Sequence, residues 1–571
     1  MWRHLRRLAA TPVRLRSRRQ ADHFVSLLGD CRGTQQKILG EILRLNADSA
    51  FSRDHGLDRV RSIADFQRAL PVAGYERALP YVERTMQGER TALLGERNPP
   101  VMFALSSGTT AATKYVPITR RFVDDYRRGW QIWGIRSFDA HPQMHLLNIF
   151  QAASDYDKFR TPGGIPCGNI SGLVQQLQSP AVKLMYTIPD AVTKIGDPDA
   201  KYYAALRAGV ADPHVGIMMT ANPSTLLQIA RLADRHAQHL IRDLHDGTLS
   251  SEFEISPTIR KSLGRVSRRR DVTRARELER ILSREGRLRP ADLWRDLQIL
   301  AVWTAGSVGA YLPQLREWYG PVAIRDHGLS ASEGRMTIPL RGDTSAGPLD
   351  IQTHFFEFVP VDEIDSADPT VLLGDELEVG QDYFILLTTV SGLYRYDIRD
   401  VVRCTGFHGT TPELEFRHKG AHISSITGEK LTESQVAEAL RDASREADIP
   451  LPPVTLCPEW GDPPRYQLLI EAGAIHCERR VRQFAESIDA RLRATNVEYE
   501  EKRATRRLDT IAVRPLANGT WARYMRSRQS SPGGSLEQYK HAILKPDLDF
   551  ADKLRARFEG GTGDQSAARA A

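Results

Sequence analysis

Apolar and polar positions change period several times along this 571-residue chain, and each change marks a change of structure. Between residues 20 and 90 the apolar positions fall at helical spacing, as in Gln35, Ile38, Leu39, Ile42 and Leu43, which predicts helices with short connectors. From about 97 to 220, apolar runs such as Met144 to Phe150 and Val215 to Met219 alternate with polar, periodic stretches. That alternation predicts an α/β architecture with a largely parallel sheet. Residues 222–298 are highly charged and helical in pattern, and Ile299 to Leu312 reads as a buried strand and its turn. Strand character dominates 321–417, where His354 to Pro360 and Tyr383 to Leu387 are β-rich and bounded by turn residues. Residues 418–571 form a smaller α/β unit: a helix over Glu433–Ala447, strands at Tyr466–Ile470 and Thr510–Val513, and a longer helix over Glu478–Ala494. The Gly/Ala-rich end, Gly560 to Ala571, is expected to be disordered.

Composition narrows the function classes. The 78 basic and 71 acidic residues are mixed along the chain, so a net charge of +7 suits small anionic ligands without requiring nucleic acid. The basic cluster Arg265, Arg268, Arg269 and Arg270 lacks accompanying aromatic residues and reads as a solvated helical face rather than a nucleic-acid surface. None of the five cysteines falls in a C-x-x-C pair, so neither a structural zinc site nor a disulfide framework is indicated, and a reducing, cytoplasmic setting fits. No apolar run reaches the roughly 18 residues of a membrane span. The arginine-rich N-terminus has no acidic residue before Asp22 and can mimic a mitochondrial transit peptide; the reading preferred is a basic first helix packed on the body.

Four segments carry candidate chemistry. The run SSGTTAATK, Ser106 to Lys114, places small hydroxyl and glycine residues after an apolar lead-in and ends on a lysine. Closely spaced backbone N–H groups, hydroxyls and one point charge are what a polyphosphate requires, although a Ser/Thr-rich surface turn has the same composition. GLSASEG, Gly328 to Gly334, holds a single carboxylate, Glu333, which could hold a magnesium ion if the loop faces phosphates. The alternatives there are an N-cap turn, or a nucleophile elbow in which Ser332 stands where the second glycine belongs. GLYRYDIRDVVRCTGF, Gly392 to Phe407, offers Asp397 and Asp400 as acceptors for ribose hydroxyls, or as members of an Arg–Asp network at a sheet edge. ITGEKLTE, Ile426 to Glu433, places Lys430 at a turn before a helix capped by Thr432. A further candidate beyond these four, the glycine-led run GGSLEQYK, ends in Lys540.

Taken in order, these segments resemble the auxin-responsive promoter (Gretchen Hagen) family of acyl-acid amido synthetases, within the adenylate-forming superfamily. The likeness starts at SIADFQRALPVAGYERALPYVERTMQGE, Ser62 to Glu89, and continues through SSGTT, ASEG, FFEFVPVDE, GLYRYDIRDVVRCTGF, GEKLTE and QYK. It implies a large N-terminal domain over 1–417 that binds ATP and the acyl substrate, a hinge near 416–420, and a mobile C-terminal lid over 418–571. It also implies an ATP-dependent ligase that converts a carboxylic acid to an acyl-adenylate with magnesium and then joins it to an amine such as an amino acid. Carried over by residue, Ser106, Ser107, Gly108, Thr109, Thr110 and Lys114 match the phosphate loop. Glu333, with Ser332 beside it, matches the magnesium-associated glutamate, Asp400 the ribose aspartate, Lys430 the lysine reaching the reacting phosphate, and Lys540 the QYK lysine. The chain departs from the pattern at Leu329, where the superfamily has a tyrosine on adenine, at Arg399, where it has glycine, and at Ala111-Ala112. Acyl transfer to coenzyme A or a carrier thiol, and nucleotide binding without catalysis, are the alternatives.

Overall fold

The computed structural model describes residues 11–107, 113–178, 180–264, 268–305, 311–364, 366, 368–420, 423–449, 451–475, 477–529 and 543–558. Gly108, Thr109, Thr110, Ala111, Ala112, Arg265, Lys540 and the tail 560–571 lie outside them. Contacts divide the chain into two compact units, one within Met1–Ser106 and Lys114–His418, the other within Ser107–Thr113 and Lys419–Ala571.

The larger unit begins with helices Thr11–Leu27, Cys31–Leu45, Ala50–Asp54, Ile63–Ala69 and Leu79–Met86. The first is the arginine-rich helix, and it packs on the helix Arg120–Ala140 through the ion pairs Arg18–Asp139 and Arg136–Asp22. Strands Asn148–Gln151, Val215–Met219, Ile299–Ala301 and Ala323–Arg325 form a wholly parallel sheet in sequence order. Helices fill each crossover, as parallel pairing demands. The charged stretch 222–298 supplies one of these crossovers, including Pro223–Arg235, Ala237–Asp246 and Val272–Glu285. Within its basic cluster, Arg270 donates to the carbonyl of His245 and the carbonyl of Arg269 accepts from Arg207.

A second sheet is mixed, with Thr113–Thr119, Pro100–Ser107, Pro166–Gly168 and Phe159–Arg160 side by side. The third has Gly347–Pro348, Thr411–Lys419, Tyr396–His408, Asp382–Thr388 and Phe355–Pro360, and its recorded pairings are antiparallel. Where strand character dominates the sequence, the strands thus form an antiparallel sheet, and the short connection from Asp382–Thr388 to Tyr396–His408 suits antiparallel neighbours. One continuous core runs from Phe24 and Ile38 in the helices to Ile217, Ile385 and Val402 in the sheets.

The smaller unit pairs Val454–Glu459 antiparallel with Arg465–Glu471, and the latter parallel with Ala512–Leu516. Helices Glu433–Glu446 and Glu478–Thr495 cover it, within a core that includes Ile426, Leu440, Leu468, Phe484 and Tyr499. Both helices end within one residue of the positions their patterns predict. The strand Val454–Glu459 and the helix Val497–Ala504 are additional.

Candidate active site

In the larger unit, distant segments of chain converge on the side chain of Tyr396. The segment before Tyr75 lies alongside the start of the strand Tyr396–His408: Ala73 N–H donates to Arg395 O at 3.2 Å and Asp397 N–H donates to Ala73 O at 2.9 Å. The Tyr75 hydroxyl donates to Tyr115 O (2.9 Å) and accepts from Tyr115 N–H (3.0 Å), fixing the strand that carries Lys114. Lys114 is buried, with its ammonium over the rings of Tyr75 and Tyr396 at 5.5 and 5.6 Å. Its Nζ donates to the Tyr396 hydroxyl at 3.0 Å, and that hydroxyl donates in turn to Glu333 Oε1 at 3.5 Å. The result is a cation, a phenol and a carboxylate in series.

Glu333 owes its place to a tight hairpin. Ser330–Ala331 pairs antiparallel with Gly334–Arg335, leaving Ser332 and Glu333 as the turn. A strand-to-helix elbow is absent here, so the segment is neither a helix N-cap nor the nucleophile site of a hydrolase. Gly328 leads in with φ +89°, and a Cβ there would lie 2.3 Å from Thr337 O, so only glycine fits. Leu329, where an adenine-packing tyrosine was expected, is buried in the core.

The far strand of the hairpin is anchored by charge. Arg335 is fully buried beneath the helix Arg120–Ala140, 4.6 Å from the ring centre of Trp130, and donates to His327 O at 2.6 Å. Gly129 makes room for it, since a Cβ there would come within 2.5 Å of Arg335 Cδ. Nearby Asp350 is also buried, and burial pushes its carboxyl up to about 7 against the opposing pull of Arg335 and Arg128.

Asp400 lies on the strand Tyr396–His408, buried to 2% exposure, where the register against Asp382–Thr388 shifts between Phe384 and Leu386. Arg399 sits in that irregularity with φ +63°, in the left-handed region that a glycine would occupy without strain. Its backbone N–H donates to Asp397 Oδ1 at 2.7 Å, and its Nε pairs with Oδ2 at 2.9 Å. The glycine-to-arginine departure thus retains the turn. Two other arginines of the motif are structural: Arg395 pairs with buried Glu357 at 3.0 Å, and Arg403 pairs with Asp382 at 2.7 Å. Burial first, then Glu333, Asp397, Tyr75 and Asp400, hold the Tyr396 phenol well above its usual pKa. Of these carboxylates Glu333 touches the hydroxyl, while Asp397 and Asp400 lie on the same strand as Tyr396.

Of the phosphate-loop residues, Ser106 is buried at the end of the strand Pro100–Ser107, which Ser107 closes. Lys430 belongs to the smaller unit. It has φ +47° and pairs with Glu498 at 3.3 Å. The backbone around it is fixed: Glu429 accepts from Ile426 N–H, Thr427 N–H and the Tyr466 hydroxyl, and Asn496 donates to Glu429 O. Thr432 caps the following helix, its side chain accepting from Gln435 N–H while the Gln435 side chain accepts from Thr432 N–H. Residue reasoning overlooked Tyr75 and Tyr396, although both lie inside the motif segments. Their signal was a pair of tyrosines in each stretch, Tyr75 and Tyr81 in one and Tyr394 and Tyr396 in the other.

The arrangement of layers is that of the acyl-acid amido synthetases. A solved structure titled GH3.15 acyl acid amido synthetase matches with a TM-score of 0.65 at 19% identity, covering 94% of this chain and 95% of that one. The chain belongs to the GH3 family: residues 20–324 match the GH3 family N-terminal domain, 347–419 the central domain and 434–547 the C-terminal domain. Its relatives include indole-3-acetic acid-amido synthetase GH3.2 of Arabidopsis thaliana, 26% identical over 72% of this chain and 78% of that protein. Another is probable indole-3-acetic acid-amido synthetase GH3.4 of Oryza sativa subsp. japonica, 27% identical over 93% and 89%. Among the described residues, no helix is long and apolar enough to cross a membrane.

Proposed function

We propose that this chain is an ATP-dependent acyl-acid amido synthetase. A carboxylate is a poor acylating agent because its leaving group would be oxide. Attack of the acid on the α-phosphate of ATP gives an acyl-adenylate and pyrophosphate, and attack of an amine, an amino acid in our reading, then gives the amide and AMP. The observation that carries this reading is the meeting of Lys114 and Glu333 at the Tyr396 hydroxyl, with Asp400 buried further along the same strand, in a GH3-family chain.

In this reading Ser106, Ser107, Gly108, Thr109 and Thr110 bind the β- and γ-phosphates, with Lys114 as the point charge. Glu333, beside Ser332, supplies a buried oxygen donor that suits a hard cation such as Mg²⁺. When bound, Mg²⁺ offsets charge on the phosphate oxygens. Asp400 accepts from the ribose hydroxyls. Lys430 offsets charge developing at the α-phosphate, after exchanging its partner Glu498 for the nucleotide, and Lys540 assists. Residues 1–417 bind ATP and acid, while 418–571 act as the lid. Free thiols at the five cysteines suit a reducing, ATP-rich compartment such as the cytoplasm.

ATP–pyrophosphate exchange against a panel of aliphatic, aromatic and indolic acids tests the reading, and exchange that depends on no acid would end it. Glu333→Ala and Lys430→Ala should each slow exchange roughly a hundredfold, the about 3 kcal/mol of one lost charge-assisted contact, while the protein remains folded. Near-wild-type exchange by either variant removes that residue from the site. Product analysis with amino acids or coenzyme A as acceptor separates amide formation from thioester formation.

A further inference from the structure

The helices that follow the parallel strand Val215–Met219 carry a second set of donors, sharing no residue with the cluster around Tyr396. His236 sits between the helices Pro223–Arg235 and Ala237–Asp246, and His239 lies one turn further on. Their Nδ1 atoms face each other at 3.5 Å, and His239 Nδ1 is 3.2 Å from Glu252 Oε2. All three donor atoms lie within 4.8 Å of one another. Hydrogen bonding alone satisfies this trio poorly. A neutral imidazole nitrogen either donates or accepts, so an Nδ1–H of His239 directed at Glu252 cannot also accept from His236. A cation at the centre satisfies all three together. Bonds of about 2.0–2.2 Å around a tetrahedral ion place neighbouring donors about 3.3–3.6 Å apart, close to the separations seen.

The surroundings hold the trio in place. The His236 ring meets Tyr203 and Phe253 edge-on, with centroids 5.9 and 5.2 Å away, and those two rings stack on each other at 4.1 Å. The loop bearing Glu252 is pinned at both ends. Asp243 accepts from the Thr248 hydroxyl and Ser250 N–H, both at 2.7 Å, and Arg260 donates to the carbonyls of Leu249, Ser250 and Phe253. Ligands fixed in advance by their neighbours lose little freedom on binding.

We propose that His236, His239 and Glu252 bind a divalent transition metal of the zinc class, with water as fourth ligand. Two imidazoles and one carboxylate favour zinc over magnesium, which takes oxygen donors in octahedral geometry. The ion clamps the Glu252 loop to the helix pair, and its role is structural, independent of the adenylation reading.

The test uses the full-length protein after chelator treatment. Zinc titration by calorimetry should give one site per chain. Cobalt substitution should give the strong visible bands of a four-coordinate ion, and excess Mg²⁺ should displace neither metal. His239→Ala should weaken zinc binding by at least about tenfold and abolish the zinc-dependent rise in thermal midpoint. Glu252→Gln, at a solvent-facing side chain, should weaken binding without altering the metal-free midpoint. The proposal fails if both variants bind zinc as the wild type does, or if the wild type binds none at about 0.1 mM.

Discussion

Tyr396 joins charges that would otherwise have to be buried separately. Its phenol stays protonated at physiological pH, because burial and the carboxylates around it oppose ionisation. It therefore accepts from Lys114 and donates to Glu333 at once. Tyr396→Phe keeps the ring and removes the link, costing Lys114 and Glu333 one hydrogen bond each, about 1–3 kcal/mol together. Pyrophosphate exchange should fall about tenfold or more; an unchanged rate would remove the hydroxyl from the chemistry. Asp350 answers to pH instead. Its folded-state pKa, about 7, is raised, so the folded protein retains a proton that the unfolded chain has lost. Stability must then fall as pH rises from about 4 to about 7 and level off above that. Urea midpoints should show this slope in the wild type and a shallower one in Asp350→Asn, which should be the more stable of the two at pH 8 by an amount on the order of a few kcal/mol. Parallel pH profiles would show that Asp350 does not titrate in this range.

Two short elements set the positions of the groups proposed to act on phosphate. In the hairpin 330–335 the turn residues are Ser332 and Glu333, so one inserted residue would direct the carboxylate to the other face. In the smaller unit, Lys430 is followed by a capped helix whose first turn depends on the reciprocal Thr432–Gln435 bonds. Thr432→Ala should cost about 1 kcal/mol, measured as a drop in the denaturant midpoint, while Thr432→Ser should cost much less. This helix was legible because capping box and apolar period agree. The hairpin was not, because a two-residue turn between two-residue strands leaves no period to detect. Val454–Glu459 was missed for a related reason: Pro458 and the flanking prolines read as loop, yet Pro458 faces Tyr466 within a regular antiparallel pair.

Across the whole molecule, ordered motifs revealed more than any local pattern. They singled out Lys114 and Glu333, which the fold joins through one hydroxyl, but not Tyr396 and Tyr75, whose importance comes from contacts distant in sequence. The antiparallel sheet was likewise hidden, since pairing partners leave no mark on strand composition. The proposed lid motion belongs to this scale. A rotation about residues 416–420 should alter the small-angle scattering profile when a non-hydrolysable acyl-adenylate analogue binds, and superimposable profiles would argue against it. The bond from Lys114 to Tyr396 joins residues 282 positions apart. At synthesis rates of about 5–20 residues per second, the lysine leaves the ribosome roughly 14–56 s before the tyrosine that will shelter it. Nascent chains arrested between these two points keep that ammonium hydrated, while Val116 and Ile118 of the same strand still await part of the core that covers them, a stage at which holdase chaperones have the most to protect.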